Sequence, residues 1–321
     1  MMNHNERIGA IGLDIGGTKT AAGIVVWPAG EILHRTVNPT CPQRGGEAVL
    51  SDIMDLGVRL REKAEQEGIK IAAIGAGVAE LVDCDGNVTS SCTIAWRGQP
   101  VQQKLSTIAP AHVESDVRAA AFAEATFGAG REKRLFVYIT VGTGISYCLM
   151  QDGQPFKGAN GNAILMASSP LSTACNHCGA KLHPVLEDYA SGPAIAKRFA
   201  HAKRNESVGD CQGVFRAASS GDQDAIHILN SAGEALGVSA AFLINILDPE
   251  MVILGGGLGT AGGIYRESFD RSCRAHIYAQ NSRGLPIVSA KLGIDAGVVG
   301  AAAIALTQQR NKERNYAYDT K

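Results

Sequence analysis

Ile8-Gly9-Ala10-Ile11-Gly12-Leu13-Asp14-Ile15-Gly16-Gly17-Thr18-Lys19 opens the chain with an apolar run that ends in an aspartate and a glycine pair. Residues 8–13 read as a buried strand. Gly16, Gly17, Thr18 and Lys19 then form a turn whose backbone N–H groups can approach an anion closely, with the Thr18 hydroxyl as a further donor. A second stretch repeats the pattern: strand 135–140 runs into Thr140-Val141-Gly142-Thr143-Gly144. Either turn alone fits a tight β-hairpin equally well. Two of them, with Glu114-Ser115-Asp116 between, point to a nucleotide phosphate chain gripped from two sides with a carboxylate nearby. Asp14 favours that reading, because a carboxylate beside phosphate normally shares a divalent metal with it. Two common phosphate motifs are absent. The Walker spacing from Gly12 requires Lys at position 18, which is Thr18, and neither turn has the G-x-G-x-x-G pattern.

The 321 residues suffice for two domains. Glycine is plentiful (38 residues) and aromatics are only 5%, as in close-packed α/β proteins. A net charge of −1 gives no electrostatic case for nucleic acid. The basic stretches 197–204 and 310–314 read as solvated faces. No uninterrupted apolar stretch reaches membrane-spanning length. Residues 1–7 lack the apolar region of a signal peptide, so a cytoplasmic location is expected. Cys41, Cys84, Cys92, Cys148, Cys211 and Cys273 are dispersed and read as reduced thiols. Cys175 and Cys178 form a pair.

The periodicity predicts a hairpin over 8–27, a third strand at 31–37, a helix over 46–67 and a buried strand at 71–78. A turn is signalled at Asp85-Gly86, and an alanine-rich helix covers 117–127. The second half repeats the outline. A hairpin pairs 136–140 with 145–150, helices cover 187–203 and 222–247, and strand 251–254 runs into Gly255-Gly256-Gly257. A small-residue helix covers 296–306. The pattern reads as a duplicated βββαβαβ unit. It divides into a smaller N-terminal lobe, 1–116, and a larger C-terminal lobe, 117–302. The segment from about 303 to 321 is assigned to pack back on the first lobe.

Together these motifs resemble the ROK family of sugar kinases, within the actin-like, sugar kinase and Hsp70 ATPase superfamily. The likeness runs from about residue 8 to 306. It rests on Leu13-Asp14-Ile15-Gly16-Gly17-Thr18-Lys19, Glu114-Ser115-Asp116, Val141-Gly142-Thr143-Gly144-Ile145 and Leu186-Glu187-Asp188-Tyr189-Ala190-Ser191-Gly192. Asp248-Pro249-Glu250 with the Gly255-Gly256-Gly257 strand end, and Ala296-Gly297-Val298-Val299-Gly300, complete it. The resemblance implies an α/β fold of two ribonuclease-H-like lobes with an interlobe cleft. It implies ATP on the two turns, with Gly255, Gly256 and Gly257 near adenosine and Asp14 acting through the Mg²⁺ shell. Asp116 matches the base that takes the proton of the attacking sugar hydroxyl; taken alone it reads rather as a helix N-cap, and its place between the two turns favours the base. Ser115 and Glu187 match sugar contacts, although Glu187 could also face solvent at a helix start. A homodimer is implied as well.

The chain departs from the family where the sugar should be held. The family segment G-A-x-G-x-A-G-E-x-G-H reads Gly158 to Ser168 here, with Leu165 in place of the Glu and Ser168 in place of the His. Ser115 replaces an Asn. A ring hydroxyl facing Leu165 would lose its partner, at about 1–3 kcal/mol. The expected substrate is therefore an amino or deoxy sugar or a cyclitol, phosphorylated on a primary hydroxyl. The family's zinc motif is stretched to Cys175-Asn176-His177-Cys178-Gly179-Ala180-Lys181-Leu182-His183. Cys175, Cys178 and His183 are the best ligands for a structural Zn²⁺, with His177 or a residue elsewhere as the fourth; the alternative is a metal-free loop with two thiols. Family relatives include repressors with an N-terminal helix-turn-helix. This chain enters the kinase lobe within a dozen residues, which argues against nucleic-acid binding but leaves a catalytically silent sugar sensor as the alternative. Glu80 stands where relatives have Pro-Gly. It reads as a plain loop residue or a cleft-facing carboxylate.

Overall fold

The computed structural model describes residues 7–170, 173–174, 177–182, 184–204 and 209–319, without the side chains of 173, 182 and 315–319. The first strands are β1 (Arg7–Ile15), β2 (Lys19–Trp27) and β3 (Glu31–Pro39), followed by α1 (Gly46–Gln66), β4 (Ile69–Val78), α2 (Val101–Leu105), β5 (Ala111–Ser115) and α3 (Asp116–Thr126). Then come β6 (Leu135–Val141), β7 (Ile145–Gln151), and three two-residue strands, β8 (Gln154–Pro155), β9 (Thr173–Ala174) and β10 (Lys181–Leu182). The helices α4 (Glu187–Ala190), α5 (Gly192–Lys203), α6 (Cys211–Ser219) and α7 (Gln223–Leu247) lead to β11 (Met251–Gly255). The chain finishes with α8 (Gly256–Gly259), α9 (Ile264–His276), β12 (Ile287–Ser289) and α10 (Ala296–Asp319).

Two compact units result. One takes the chain up to Glu132, then Gly153–Ala163 and Ile294 onward; the other takes Lys133–Asp152 and Ile164–Gly293. In the first, the sheet order is β3–β2–β1–β4–β5. The β1–β2 and β2–β3 pairs are antiparallel, while β1–β4 and β4–β5 are parallel. Val49, Leu50, Ile53, Leu56 and Leu60 recur at helical spacing on α1 and bury against Ile11, Leu13 and Ile74. Another cluster packs Val298, Ala302 and Leu306 of α10 on Ala10, Val25 and Ala73. The approach is close enough that a Cβ on Gly75 would overlap the Ala301 carbonyl, and one on Gly300 the Ala119 carbonyl of α3. Small residues on α10 are thus what lets the helix lie directly on the strands and on α3.

In the second unit, β12–β11–β6–β7 repeats the path of β5–β4–β1–β2: an antiparallel hairpin flanked by two parallel strands. Its core gathers Val137, Ile139, Leu229, Leu236, Val252 and Phe269. The 187–203 helix of the sequence reading is two helices. Ser191 caps α5 by accepting the Ala194 N–H, and Pro193 has no N–H to continue the α4 ladder. Helices α6 and α9 and strand β12 were not anticipated. The sequence reading found no apolar stretch of spanning length. Yet α7 is, alone among the described helices, long and apolar enough to cross a membrane, with half of that window buried in the core. One face carries Ile228, Leu229, Leu236 and Leu243 into the core; Val238, Phe242 and Ile246 are exposed.

Candidate functional site

The first turn closes where the β1–β2 ladder ends at Ile15 and Thr20, with the Gly16 N–H donating to the Lys19 carbonyl at 3.0 Å. Thr40 pins it from the end of β3. Its hydroxyl donates to the Gly16 carbonyl (2.7 Å), its N–H donates to the Thr18 carbonyl (3.1 Å), and its hydroxyl pairs with that of Thr20. The Gly16, Thr18 and Lys19 carbonyls are thereby occupied, while the N–H groups of Gly17 and Thr18 have no protein acceptor among the described residues. Thr18 and Lys19 are exposed. The turn thus presents free donors with most of its carbonyl oxygens already engaged, an arrangement suited to an anion.

Two carboxylates stand at the C-terminal ends of the parallel strands of the same unit. Asp14 pairs in register with Gly77 of β4, and Gly77 with Glu114 of β5; Asp116 follows one residue past β5. The N-cap of α3 is Ser115, so Asp116 is the first helical residue, and its Oδ1 accepts the Val117 N–H at 2.7 Å. The Ser115 N–H donates to Glu114. Burial, then the Asp116 charge, push the Asp14 carboxyl up to about 7 against the pull of Lys19. Burial likewise pushes Asp116 up to about 6; the Val117 N–H and Arg118 oppose this, and Glu80 adds to it. Asp14 has no hydrogen-bond donor among the described residues, and the Gly297 Cα packs so closely that a Cβ there would overlap the carboxylate. A half-buried carboxylate without a donor, facing a second carboxylate, is a donor set that a divalent cation completes.

Glu80 is neither a plain loop residue nor a free carboxylate. Only 6% exposed, it accepts four hydrogen bonds, from the Ser90 hydroxyl and from the N–H groups of Cys92 (2.9 Å), Thr93 (2.6 Å) and Ile94 (2.7 Å). The Thr93 methyl fills the space where a Gly17 side chain would begin. Beside Asp116, the fully buried Glu114 pairs with Arg118 (2.5 Å) and Lys157 (2.8 Å), while His112 stands 3.8 Å away. Burial would raise the Glu114 carboxyl, but His112, Arg118 and Lys157 hold it at about 2. Arg118 also donates to the Gly161 and Val82 carbonyls, fixing both loops to α3. The sequence reading missed these anchors. A lone acid inside the apolar stretch Gly77-Val78-Ala79-Glu80-Leu81-Val82 was the one signal of Glu80.

In the second unit, the turn after β6 is closed by the Gly142 N–H donating to the Gly144 carbonyl (2.9 Å). The Gly192 N–H, at the start of α5, donates to the Gly142 carbonyl (2.9 Å). Thr143 is exposed. Glu187 turns onto this turn, its Oε2 accepting the Ile145 N–H at 2.7 Å. Gly256 has φ +76°, and a Cβ there would overlap the Val141 carbonyl. Gly255, Gly256 and Gly257 therefore lie at the same sheet end as Thr140 and the turn. Leu165, at 41% exposure, and Ser168 are both exposed.

Of the zinc candidates, His177 and Cys178 are exposed and lie in the loop between β9 and β10, while Cys175 and His183 fall outside the described residues. Among the described residues no three His, Cys, Asp or Glu side chains are grouped to hold a metal.

The comparisons agree with this geometry. The sequence profile of the ROK family matches residues 10–308. The chain is 31% identical to a glucokinase of Streptomyces coelicolor over 92% of its own length and 96% of the relative's. It is 32% identical to the bifunctional enzyme NanE/NanK of Brucella melitensis, over 92% of its length and 54% of that protein. The crystal structure of a ROK family glucokinase from Streptomyces griseus in complex with glucose and AMPPNP superimposes with a TM-score of 0.78 at 29% identity, covering 92% of this chain and 99% of that one. With two mixed sheets, a glycine turn on each and a profile match across nearly its whole length, the chain has the actin-like ATPase fold and belongs to the ROK family.

Proposed function

We propose that the chain is an ATP-dependent sugar kinase, transferring the γ-phosphoryl group of ATP to the primary hydroxyl of a modified hexose or to a ring hydroxyl of a cyclitol. The observation that carries this reading is the pair Asp14 and Asp116 at neighbouring strand ends, next to a turn whose free N–H groups suit phosphate. Phosphoryl transfer asks the protein mainly for positioning and charge neutralisation. Asp116 orients the acceptor hydroxyl and takes its proton as the O–P bond forms. Its raised pKa makes it a stronger base while leaving it ionised above pH about 6. Asp14 would hold Mg²⁺, which when bound would neutralise charge on the phosphate oxygens. Gly16, Gly17, Thr18 and Lys19, and Thr140, Gly142, Thr143 and Gly144, are assigned to the phosphates, and Gly255, Gly256 and Gly257 to the nucleoside.

The substrate class follows from what is missing. Leu165 offers no acceptor, and Glu187 already spends one oxygen on the Ile145 N–H. Ser115 supplies one hydroxyl where an amide would offer donor and acceptor together. A ring lacking or modifying a hydroxyl suits these three residue types better than glucose. ADP release with Mg-ATP, measured over glucose, mannose, allose, their amino and N-acetyl forms and several cyclitols, tests this. Turnover confined to modified rings is the expected result. Preference for glucose overturns the substrate class, and sugar binding without turnover favours a silent sensor.

Three further assignments belong to this reading. Cys175, Cys178, His183 and His177 bind a structural Zn²⁺, supported by their soft donor chemistry on one short segment. Metal analysis showing no zinc in the purified protein overturns it. A second copy of the chain covers the exposed Val238, Phe242 and Ile246 stripe of α7. The protein works in the cytoplasm on small molecules, without nucleic acid or membrane.

A further inference from the structure

We propose that Glu80 is a positioning residue that sets the first phosphate turn for nucleotide through Thr93. This rests on the kinase reading. Glu80 is the second residue after β4, whose last residue Val78 is in register with Ile15 at the end of β1, and the intervening Ala79 N–H donates to the Ile15 carbonyl at 3.1 Å. Its backbone is therefore fixed by the same strand end that launches the turn. The carboxylate reaches the other way and collects the Ser90 hydroxyl and three consecutive N–H groups, those of Cys92, Thr93 and Ile94. Such a set holds a segment that has no ladder of its own. Of that segment, Ile94 is buried, while Cys92 and Thr93 are exposed. What the anchoring fixes is thus the position of Thr93, and the Thr93 methyl rests on Gly17. Thr40 holds the turn's carbonyls from the β3 side. Thr93 packs against a further side of the turn at Gly17 and so limits how the segment carrying the Gly17 and Thr18 N–H groups can move. A carboxylate is required for this. A carboxamide has one acceptor oxygen, and its NH₂ would face N–H donors that it cannot accept from.

Titration calorimetry with Mg-AMPPNP, on wild type, Glu80→Gln, Thr93→Ser and the double variant, decides the matter. Thr93→Ser removes only the methyl that touches Gly17. Each single change is expected to weaken nucleotide binding about tenfold, roughly 1.4 kcal/mol. The double variant is expected to be no weaker than the weaker single, because both act through one contact. A purely structural Glu80 would lower the unfolding temperature and leave nucleotide affinity, and its dependence on Thr93, unmoved. Unchanged affinity in Glu80→Gln, or additive losses, overturns the proposal while the kinase reading stands. Wild-type protein that takes up no Mg-AMPPNP overturns both. Should Glu80→Gln fail to fold, two milder tests replace it. Ser90→Ala, which removes one of the four bonds, is expected to weaken binding severalfold. Gly17→Ala is expected to lose affinity by collision with the Thr93 methyl, and Thr93→Ser to restore it. An unaffected Ser90→Ala, or a loss that Thr93→Ser does not restore, overturns the proposal.

Discussion

Asp14 and Asp116 are held in a state that favours chemistry over stability. Their folded pKa values, about 7 and about 6, lie above the ordinary 3.8. The stabilisation of the neutral carboxyls is therefore complete below pH about 4 and is lost as pH rises through 6 to 7. Asp14→Asn should melt several degrees above wild type at pH 8 without Mg²⁺, on a scale where about 1 kcal/mol is worth about 2–4 °C, and should match it near pH 4. Calorimetric scans at the two pH values check this; an equal or lower melting temperature at pH 8 contradicts it. For catalysis the sign is opposite, since the base works only when ionised. Phosphorylation should fall as pH drops through about 6, and added Mg²⁺ should move that limb to lower pH, because the metal competes with the proton on Asp14. Asp116→Asn should keep Mg-ATP affinity and lose transfer about 10²–10⁴-fold in a stopped assay. Retained transfer would remove Asp116 as the base. Both aspartates were candidates on sequence because Asp14 lies near the end of an apolar strand beside a glycine turn and Asp116 opens an alanine-rich helix. Glu80 was harder: its four partners lie 10 to 14 residues downstream, in a segment without periodicity.

At the scale of elements, the parts that declared themselves were those whose apolar period is regular. The hairpins, α1, α7 and β11 fall within a few residues of their expected bounds. The break between α4 and α5 was overlooked because Leu186 to Phe199 keeps a helical apolar spacing through Ser191-Gly192-Pro193, and the local chemistry of the cap overrides it. Strand β5 is five residues long and showed only as the segment before Asp116. Helix α9 hides its core face, Tyr265, Phe269 and Cys273, among six charged or imidazole side chains. The contact of α10 with β4 and α3 is made by backbone atoms, so it yields to overpacking. Gly300→Ala should destabilise the protein by about 1–3 kcal/mol or more, because the new methyl meets the Ala119 carbonyl rather than a movable side chain. Urea unfolding gives the number; a neutral result would mean that α10 can lift off α3 freely.

For the whole molecule, the exposed stripe on α7 predicts an assembly. Phe242→Glu should turn a dimer into a monomer in sedimentation velocity while leaving the far-ultraviolet spectrum unchanged; a wild-type monomer at micromolar concentration would sink the assignment. The repeated strand path of the two sheets was legible from the repeated turn. The membership of α10 in the first unit rests on contacts almost 300 residues apart in the chain. When a ribosome has delivered β1 and β4, the helix that seals their outer face has not yet been translated. The second unit, whose strands and helices all precede residue 294, can mature while the first still waits with Ala10, Val25 and Ala73 uncovered. Translation therefore finishes the later-encoded body before the earlier one. A stop codon before α10 would leave that surface uncovered permanently.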